Sequence, residues 1–335
     1  MAEVLIRRLA LAGAVLAVFV VVLGAFTRLV DAGLGCPDWP GCYGHLLWPN
    51  DAQEIQRADE AYPEMPVDLD KTWPEMVHRY FAGGLLLLVA GMVVVAFRQA
   101  DLRPAVRTLC VSLLVLIICQ AAFGAWTVTL KLWPQVVTAH LLGGFATWSL
   151  LWAIYLRTGG APALTMDAAA RAKLTGIARI ALVVVVVQIA LGGWVSSNYA
   201  ALACADFPTC MGSMVPPQMD FAQGFNLFQD LGPNYLGGLL GSDARVAIHW
   251  THRVGAVVVL LTLAVLLWRM WPLQRPLSIW VGSALALQLL LGTLNVVWAL
   301  PLWIATAHNA VGALLLLSLV TVNFAPLRSE PGTQG

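Results

Sequence analysis

Four of the six histidines in this 335-residue chain recur in a pattern. His78 and His140 lie in the first half, and His252 and His308 follow them at shifts of 174 and 168 residues. Other reactive residues cluster around these four. Glu75 stands three residues before His78 in a Glu-x-x-His-Arg motif. Arg79 follows His78 as Arg253 follows His252, and Cys36/Cys42 and Cys204/Cys210 are two Cys-x5-Cys pairs. Imidazole pairs can ligate a metal, a carboxylate can carry protons, and paired thiols can form disulfides. Which of these chemistries is available depends on the elements that hold the residues.

The chain is 59% hydrophobic and only 11% charged, with a mean hydropathy of +0.78. An ordinary soluble domain carries about 25% charged residues. This composition excludes a cytosolic enzyme, a nucleic-acid binder and a disordered chain, while a net charge of +1 says nothing about partners. Mostly apolar runs long enough to span a bilayer, about 20 residues each, fall near 8–28, 76–97, 108–128, 135–156, 174–196, 247–268, 277–298 and 302–323. Strands would instead alternate apolar and polar residues in segments of about ten. The expected fold is therefore an all-α polytopic membrane protein with eight transmembrane helices set in membrane lipid. With the N-terminus inside, 12 Lys and Arg fall on the inner side against 7 outside, and 14 of the 18 acids fall outside. This asymmetry predicts an N-in, C-in topology. Arg7-Arg8 followed by an apolar run also fits a signal peptide, but no small-residue cleavage site follows, so the span is expected to be retained. No Ser- and Arg-rich transit segment is present, which points to a bacterial inner membrane. The two sizeable loops, about 29–75 and 197–246, both lie outside.

One half repeats the other. Leu23-Gly24-Ala25 before Cys36 and Cys42 matches Leu191-Gly192-Gly193 before Cys204 and Cys210, shifted by 168. Thr138-Ala139-His140 matches Thr306-Ala307-His308 at the same shift, and Glu75–Arg79 aligns with His249–Arg253 at 174. An even number of spans per repeat gives both halves one orientation, so a pseudo-twofold axis along the membrane normal is expected. The predicted organisation is two parallel-repeat four-helix bundles, 1–157 and 173–335, joined by a cytoplasmic linker at 158–172.

His78, His140, His252 and His308 are expected in the first turns of the even-numbered spans. His78 lies four residues after Pro74, His140 six after Pro134 and His308 seven after Pro301. At 1.5 Å per residue they sit roughly 6–10 Å below the helix starts, near the periplasmic face. Two neutral imidazoles at one depth on two helices of a bundle suit a haem iron. Zinc would recruit three or four ligands. Interhelical hydrogen bonding is the alternative role for a single intramembrane histidine, but a duplicated set of four favours function. Arg79 and Arg253 either bind ring propionates or snorkel to headgroups. His45 is expected to be a solvated loop residue, and Cys110 and Cys119 small apolar side chains within a span.

The four histidines, the Glu-x-x-His-Arg motif and the paired Cys-x5-Cys loops resemble the haem A synthase family, including its mitochondrial counterpart. So does the run Met219-Asp220-Phe221-Ala222 through Gly224-Phe225-Asn226-Leu227. The resemblance covers nearly the whole chain. It implies oxidation of a methyl group of haem O to a formyl, giving haem A for terminal oxidases. It implies too that His78 and His140 hold the substrate haem O, that His252 and His308 ligate the iron of a resident haem B, and that Glu75 is essential. Its implied partners are a haem O synthase and an electron donor.

Glu75 occupies the place that His249 fills in the second half. Three residues apart on a helix, Glu75 and His78 share a face, so the carboxylate is expected beside the haem at the aqueous rim. There it would stabilise developing charge or move a proton; as the alternative, it complements a helix dipole. An iron held by two histidines has no open position. Either one ligand leaves, or electrons depart through the second haem while water supplies the oxygen. The cysteine pairs lie on the oxidising side and serve as structural staples or as a thiol relay. A quinol-linked di-haem b-type electron-transfer protein is the competing function. A repeat-built transporter is a third, but it would carry ionisable groups near the midplane.

Overall fold

The computed structural model describes residues 2–160, 164–165 and 168–328. Its helices are α1 (Ala2–Leu29), α2 (Ala52–Ala61), α3 (Leu69–Arg98), α4 (Pro104–Thr129), α5 (Pro134–Arg157), α6 (Ala168–Ser197), α7 (Phe221–Gly224), α8 (Ser242–Met270), α9 (Arg275–Val297) and α10 (Leu302–Phe324). Eight helices among the described residues, all except α2 and α7, are long and apolar enough to cross a membrane. They coincide with the eight expected spans. Among the described residues, strand pairing is limited to a two-residue parallel contact of Leu164–Thr165 with Leu327–Arg328 and to single bridges Cys42–His45 and Cys210–Ser213. Residues 161–163 and 166–167 of the expected linker and 329–335 of the tail lie outside the described residues.

Prolines place several starts. Pro104 and Pro134 open α4 and α5, and Pro276 sits in the first turn of α9, where a missing N–H costs nothing. Two starts lie earlier than the sequence suggested. Asp68 caps α3 by accepting from the Asp70 N–H at 3.1 Å, and the helix runs on through Pro74. The N–H that Pro74 lacks would have bonded the carbonyl of Asp70, an exposed residue whose carbonyl can meet water instead. α8 likewise begins at Ser242. His78 and His252 are thus in the third turn, roughly 14–15 Å along their helices, while His140 and His308 lie six residues into α5 and α10.

In the first half α1 packs on α3 and α5, and α4 packs on the same two helices, so α3 and α5 face each other across a closed square. In the second half α6 and α9 flank α8 and α10 in the same way. The halves meet through α5 on α10, α1 on α10 and α5 on α6, a reciprocal set compatible with a twofold. Asp31 and Tyr199, 168 apart, touch at this seam, where the Tyr199 hydroxyl donates to Asp31 at 2.8 Å; the Arg28 guanidinium lies 4.2 Å from the same ring's centre. One apolar cluster, including Ile6, Leu113, Leu151, Leu263 and Leu319, runs through both halves.

Backbone geometry carries the duplication too. The described non-glycine residues with positive φ form four pairs 168 apart: Asp31/Tyr199 (54° and 55°), Tyr43/Met211 (52° and 56°), Lys131/Ala299 (49° and 54°) and Leu132/Leu300 (61° and 62°). A left-handed conformation is costly for branched or bulky side chains. Its retention at matched turns means the turns, rather than the side chains, are what the two halves share.

Candidate functional site

α3 and α5 carry His78 and His140 into the centre of the first bundle from opposite sides, with ring centroids 6.5 Å apart and planes at 85°. Two metal–nitrogen bonds of about 2 Å plus a ring radius on each side ask for a centroid separation of about 6–7 Å. The Nδ1 atoms of His78, His140 and His308 are buried with no hydrogen-bond partner. A buried unpaired acceptor is costly, and coordination of an iron would relieve it. Among the described residues no group of three or more His, Cys, Asp or Glu could hold a metal ion. The donor sets are histidine pairs, which suit the two axial positions of a haem.

Each histidine ring rests on a glycine of a neighbouring helix. A Cβ added at Gly24 would come within 2.9 Å of His78 Cε1, at Gly124 within 3.3 Å of His140, at Gly192 within 3.2 Å of His252 and at Gly292 within 3.0 Å of His308. One turn before these glycines stand Val20, Gln120, Gln188 and Gln288. Gln188 Nε2 donates to the His252 carbonyl at 2.9 Å and lies 3.1 Å from its Nδ1, and Gln288 Nε2 lies 3.3 Å from His308 Nε2. The glutamines were not singled out above, although a repeated Gln-x3-Gly spacing was their visible signal.

Glu75 is buried, 5% exposed, rather than at an aqueous rim. One carboxylate oxygen accepts the Cys36 N–H at 3.0 Å and the other pairs with the Arg79 guanidinium. The acid is six residues into α3, so it does not act as a first-turn dipole partner. Arg79 also donates to the carbonyls of Asp38, at 3.0 Å, and Gly41. Arg253 is bound the same way, to Asp206 (2.9 Å), Thr209 (2.7 Å) and Cys204 (2.7 Å) carbonyls. Both guanidiniums thus clamp the cysteine loops down onto their helices.

Those loops are closed by Cys36–Cys42 and Cys204–Cys210 disulfides, with Cα–Cα distances of 4.8 and 4.7 Å. Within each, one aspartate collects two backbone N–H groups: Asp38 those of Tyr43 and Gly44 at 2.6 and 2.8 Å, Asp206 those of Met211 and Gly212 at 2.7 and 2.9 Å. The Thr209 hydroxyl and these N–H groups hold the Asp206 carboxyl down at about 2. Burial among acids pushes the Tyr43 phenol up to about 12, and its hydroxyl donates to the Met65 carbonyl at 3.0 Å. His45 is half-buried rather than solvated, its backbone bridging Cys42. Cys110 is buried and Cys119 exposed on α4.

Fold and site define a class: a polytopic helical protein with a pair of half-buried histidines on opposed helices of each bundle. Residues 7–320 match the family described as cytochrome oxidase assembly protein, and the chain belongs to that family. It is 44% identical to the haem A synthase of Shewanella oneidensis over 92% of this chain and 93% of that one. It is 29% identical to the haem A synthase of Erythrobacter litoralis over 90% and 91% of the two chains, and 28% identical to that of Novosphingobium aromaticivorans over 90% and 89%.

Proposed function

We propose that this chain is a haem A synthase that oxidises a methyl group of haem O to the formyl group of haem A. The observation that carries this reading is the facing of His78 and His140 across one bundle at a separation suited to an iron between them; His252 and His308 stand on the corresponding helices α8 and α10 of the other. The N-terminal bundle, 1–157, holds the substrate haem O. The C-terminal bundle, 173–335, holds a resident haem B between His252 and His308, with 158–172 as a cytoplasmic linker. When bound, haem B supplies a one-electron carrier. The chain lies in a bacterial inner membrane, N-in and C-in, with both sites towards the periplasmic face. A haem O synthase supplies its substrate, and an electron-transfer partner completes the redox cycle.

With water as the source of the formyl oxygen, conversion of the methyl to the formyl releases four protons and four electrons at the ring edge, and the electrons pass to the electron-transfer partner. Glu75, one helical turn from His78, is the carboxylate placed to receive a proton there. The Cys36 N–H and Arg79 fix both of its oxygens, so the disulfide loop is part of the support that orients it. Arg79 and Arg253 anchor the loops through their carbonyls, and propionate binding would fall to guanidinium N–H groups that those bonds leave over.

The test is pigment extraction from protein purified from cells that make haem O. Haem O or haem A beside haem B is the expected result. Haem B alone, in full occupancy of both bundles, would instead identify an electron carrier that leaves its haem unmodified.

A further inference from the structure

We propose that a cavity in the C-terminal bundle, between α6, α8, α9 and α10, binds the phosphate of an anionic phospholipid. It lies at the end of the bundle where α6 begins, the cytoplasmic end in the topology proposed above. The inference is independent of the haem assignments.

The cavity measures about 200 Å³. A small-molecule pocket holds about 300–1,000 Å³, so this one takes a headgroup rather than a whole lipid. Its polar lining is Arg171, Thr175, Arg179 and Asn323, and no acid lines it. Arg171 Nη2 donates to the Asn323 carbonyl at 2.6 Å, which fixes the guanidinium. The other terminal nitrogen, Nη1, is buried with no hydrogen-bond partner. A snorkelling arginine keeps its charged head in water, whereas a buried donor left unpaired is costly. A phosphate oxygen would satisfy it, and a guanidinium binds phosphate strongly and directionally. Leu174, Leu182 and Leu277 add an apolar wall along which acyl chains can lie and for which a free phosphate has no use.

The first half shows which charge is missing. Arg103-Pro104 stands at the start of α4 as Arg275-Pro276 stands at the start of α9. Arg103 is neutralised by Glu3 on α1, with its Nη2 3.3 Å from Glu3 Oε2 and a second contact through Nε. The residue 168 after Glu3 is Arg171. The second half thus keeps the arginine that opens α9 and replaces its acid with another cation. Arg275 lies instead over the Trp271 ring, 5.3 Å from its centre. The inner-side acids among the described residues are Glu3 and Asp101, both in the first half. One bundle carries its own anion at this end, and the other is built to take one from the membrane, as basic pockets between spans on the cytoplasmic side do.

The test uses the purified full chain in detergent, mixed with phosphatidylglycerol or with zwitterionic phosphatidylcholine and read by native mass spectrometry. The wild type should retain a single phosphatidylglycerol at lipid concentrations where phosphatidylcholine leaves none. R171E, which copies the first half, and R171Q should each weaken retention about 10-fold, the scale of one hydrogen bond to a charged group. R179Q should weaken it too. It decides the matter if the Arg171 variants do not fold, because Arg179 is exposed. R98Q, at an inner arginine outside the cavity, should retain lipid as the wild type does. Unchanged retention in R171Q and R179Q, or an equal loss in R98Q, overturns the proposal. Inorganic phosphate that stabilises lipid-free protein as much as phosphatidylglycerol does would assign the cavity to free phosphate and overturn the lipid. Asp167 and Glu330 are the inner acids outside the described residues, and D167N/E330Q should bind lipid as the wild type does. If only that variant binds, the chain's own carboxylates take the site and the proposal falls.

Discussion

Glu75 and His249 occupy one place in two copies of one scaffold, yet they solve it differently. Both face a backbone N–H of the cysteine loop and the arginine four residues on. In the first half the two donors meet two carboxylate oxygens, one at 3.0 Å from Cys36 N and one in the ion pair with Arg79. In the second, Cys204 N points at His249 Nδ1 at 3.3 Å and Arg253 Nε at His249 Nε2 at 3.1 Å. A neutral imidazole has one acceptor nitrogen, so only one of those contacts is a hydrogen bond. Three Arg253 bonds to loop carbonyls fasten the second loop regardless. The scaffold therefore does not need a carboxylate at this position, and its presence in one half alone points to chemistry in that half.

The largest effect that sharpens this contrast is loss of a whole pigment. If His252 and His308 hold haem B as proposed, His252→Ala or His308→Ala removes one of its two ligands, and the purified protein should lack low-spin haem B while the first bundle still accepts haem O. A normal low-spin spectrum in both variants would show that the second pair is structural.

Next comes the exchanged position itself. Glu75→Ala should keep haem B and bind haem O, but accumulate haem O or a partly oxidised intermediate. Removing one preorganised electrostatic group costs about 10²–10³ in rate. Glu75→His, which copies the second half, should fail as badly although the loop clamp survives. His249→Glu should change turnover little. Chromatography of extracted haems reads all three, and normal haem A from Glu75→His would dissolve the contrast.

Much of this was legible in the sequence, for identifiable reasons. Apolar runs and Lys/Arg asymmetry report the solvent, so the eight spans emerged. The repeat, at shifts of 174 and 168 residues, tied both histidine pairs to equivalent places. The start of α3 was misplaced because Pro74 looked like a first-turn residue, whereas Asp68 and its cap set the start. α2 was not predicted, although Asp51 followed three residues later by Glu54 is a recognisable helix-start signal; Asp51 accepts from Gln53 N and Glu54 N at 2.9 and 2.8 Å, and Glu54 accepts from Asn50 N at 3.1 Å. The partners of Glu75 were not legible. Spacing of three placed it on the His78 face, but the Cys36 N–H that binds it lies 39 residues away in a folded loop.

The disulfides rank third. Each closes a seven-residue loop, worth about 2.4 kcal/mol in the chain-entropy model. Cys36→Ala/Cys42→Ala should lower the melting temperature, keep haem and slow turnover, because the Cys36 N–H no longer steadies Glu75. Cys204→Ala/Cys210→Ala should lower stability by a similar amount with little effect on turnover. If the first pair could be removed with full stability and no oxidation at all, a thiol relay would replace the staple.

The smallest expected effect concerns the aspartates that brace these loops, and it can be followed by pH. Asp206 titrates at about 2 in the folded protein because the Thr209 hydroxyl and the Gly212 and Met211 N–H groups favour its charged form. In the unfolded chain an aspartate titrates near ~3.9. Between those values the unfolded chain binds a proton that the folded loop refuses. The stabilisation is therefore complete above about pH 4 and is lost as pH falls towards the folded value. Asp206→Asn keeps an oxygen acceptor and removes the charge, so the wild type should melt slightly higher than the variant near neutral pH. The gap should close as pH drops from about 4 to about 2, where the wild-type carboxyl is itself protonated. Taking the difference between the two proteins at each pH cancels the titration of every other group. A gap that stays constant down to about pH 2 would mean that the loop is held by the shape of its turn and not by the aspartate's charge.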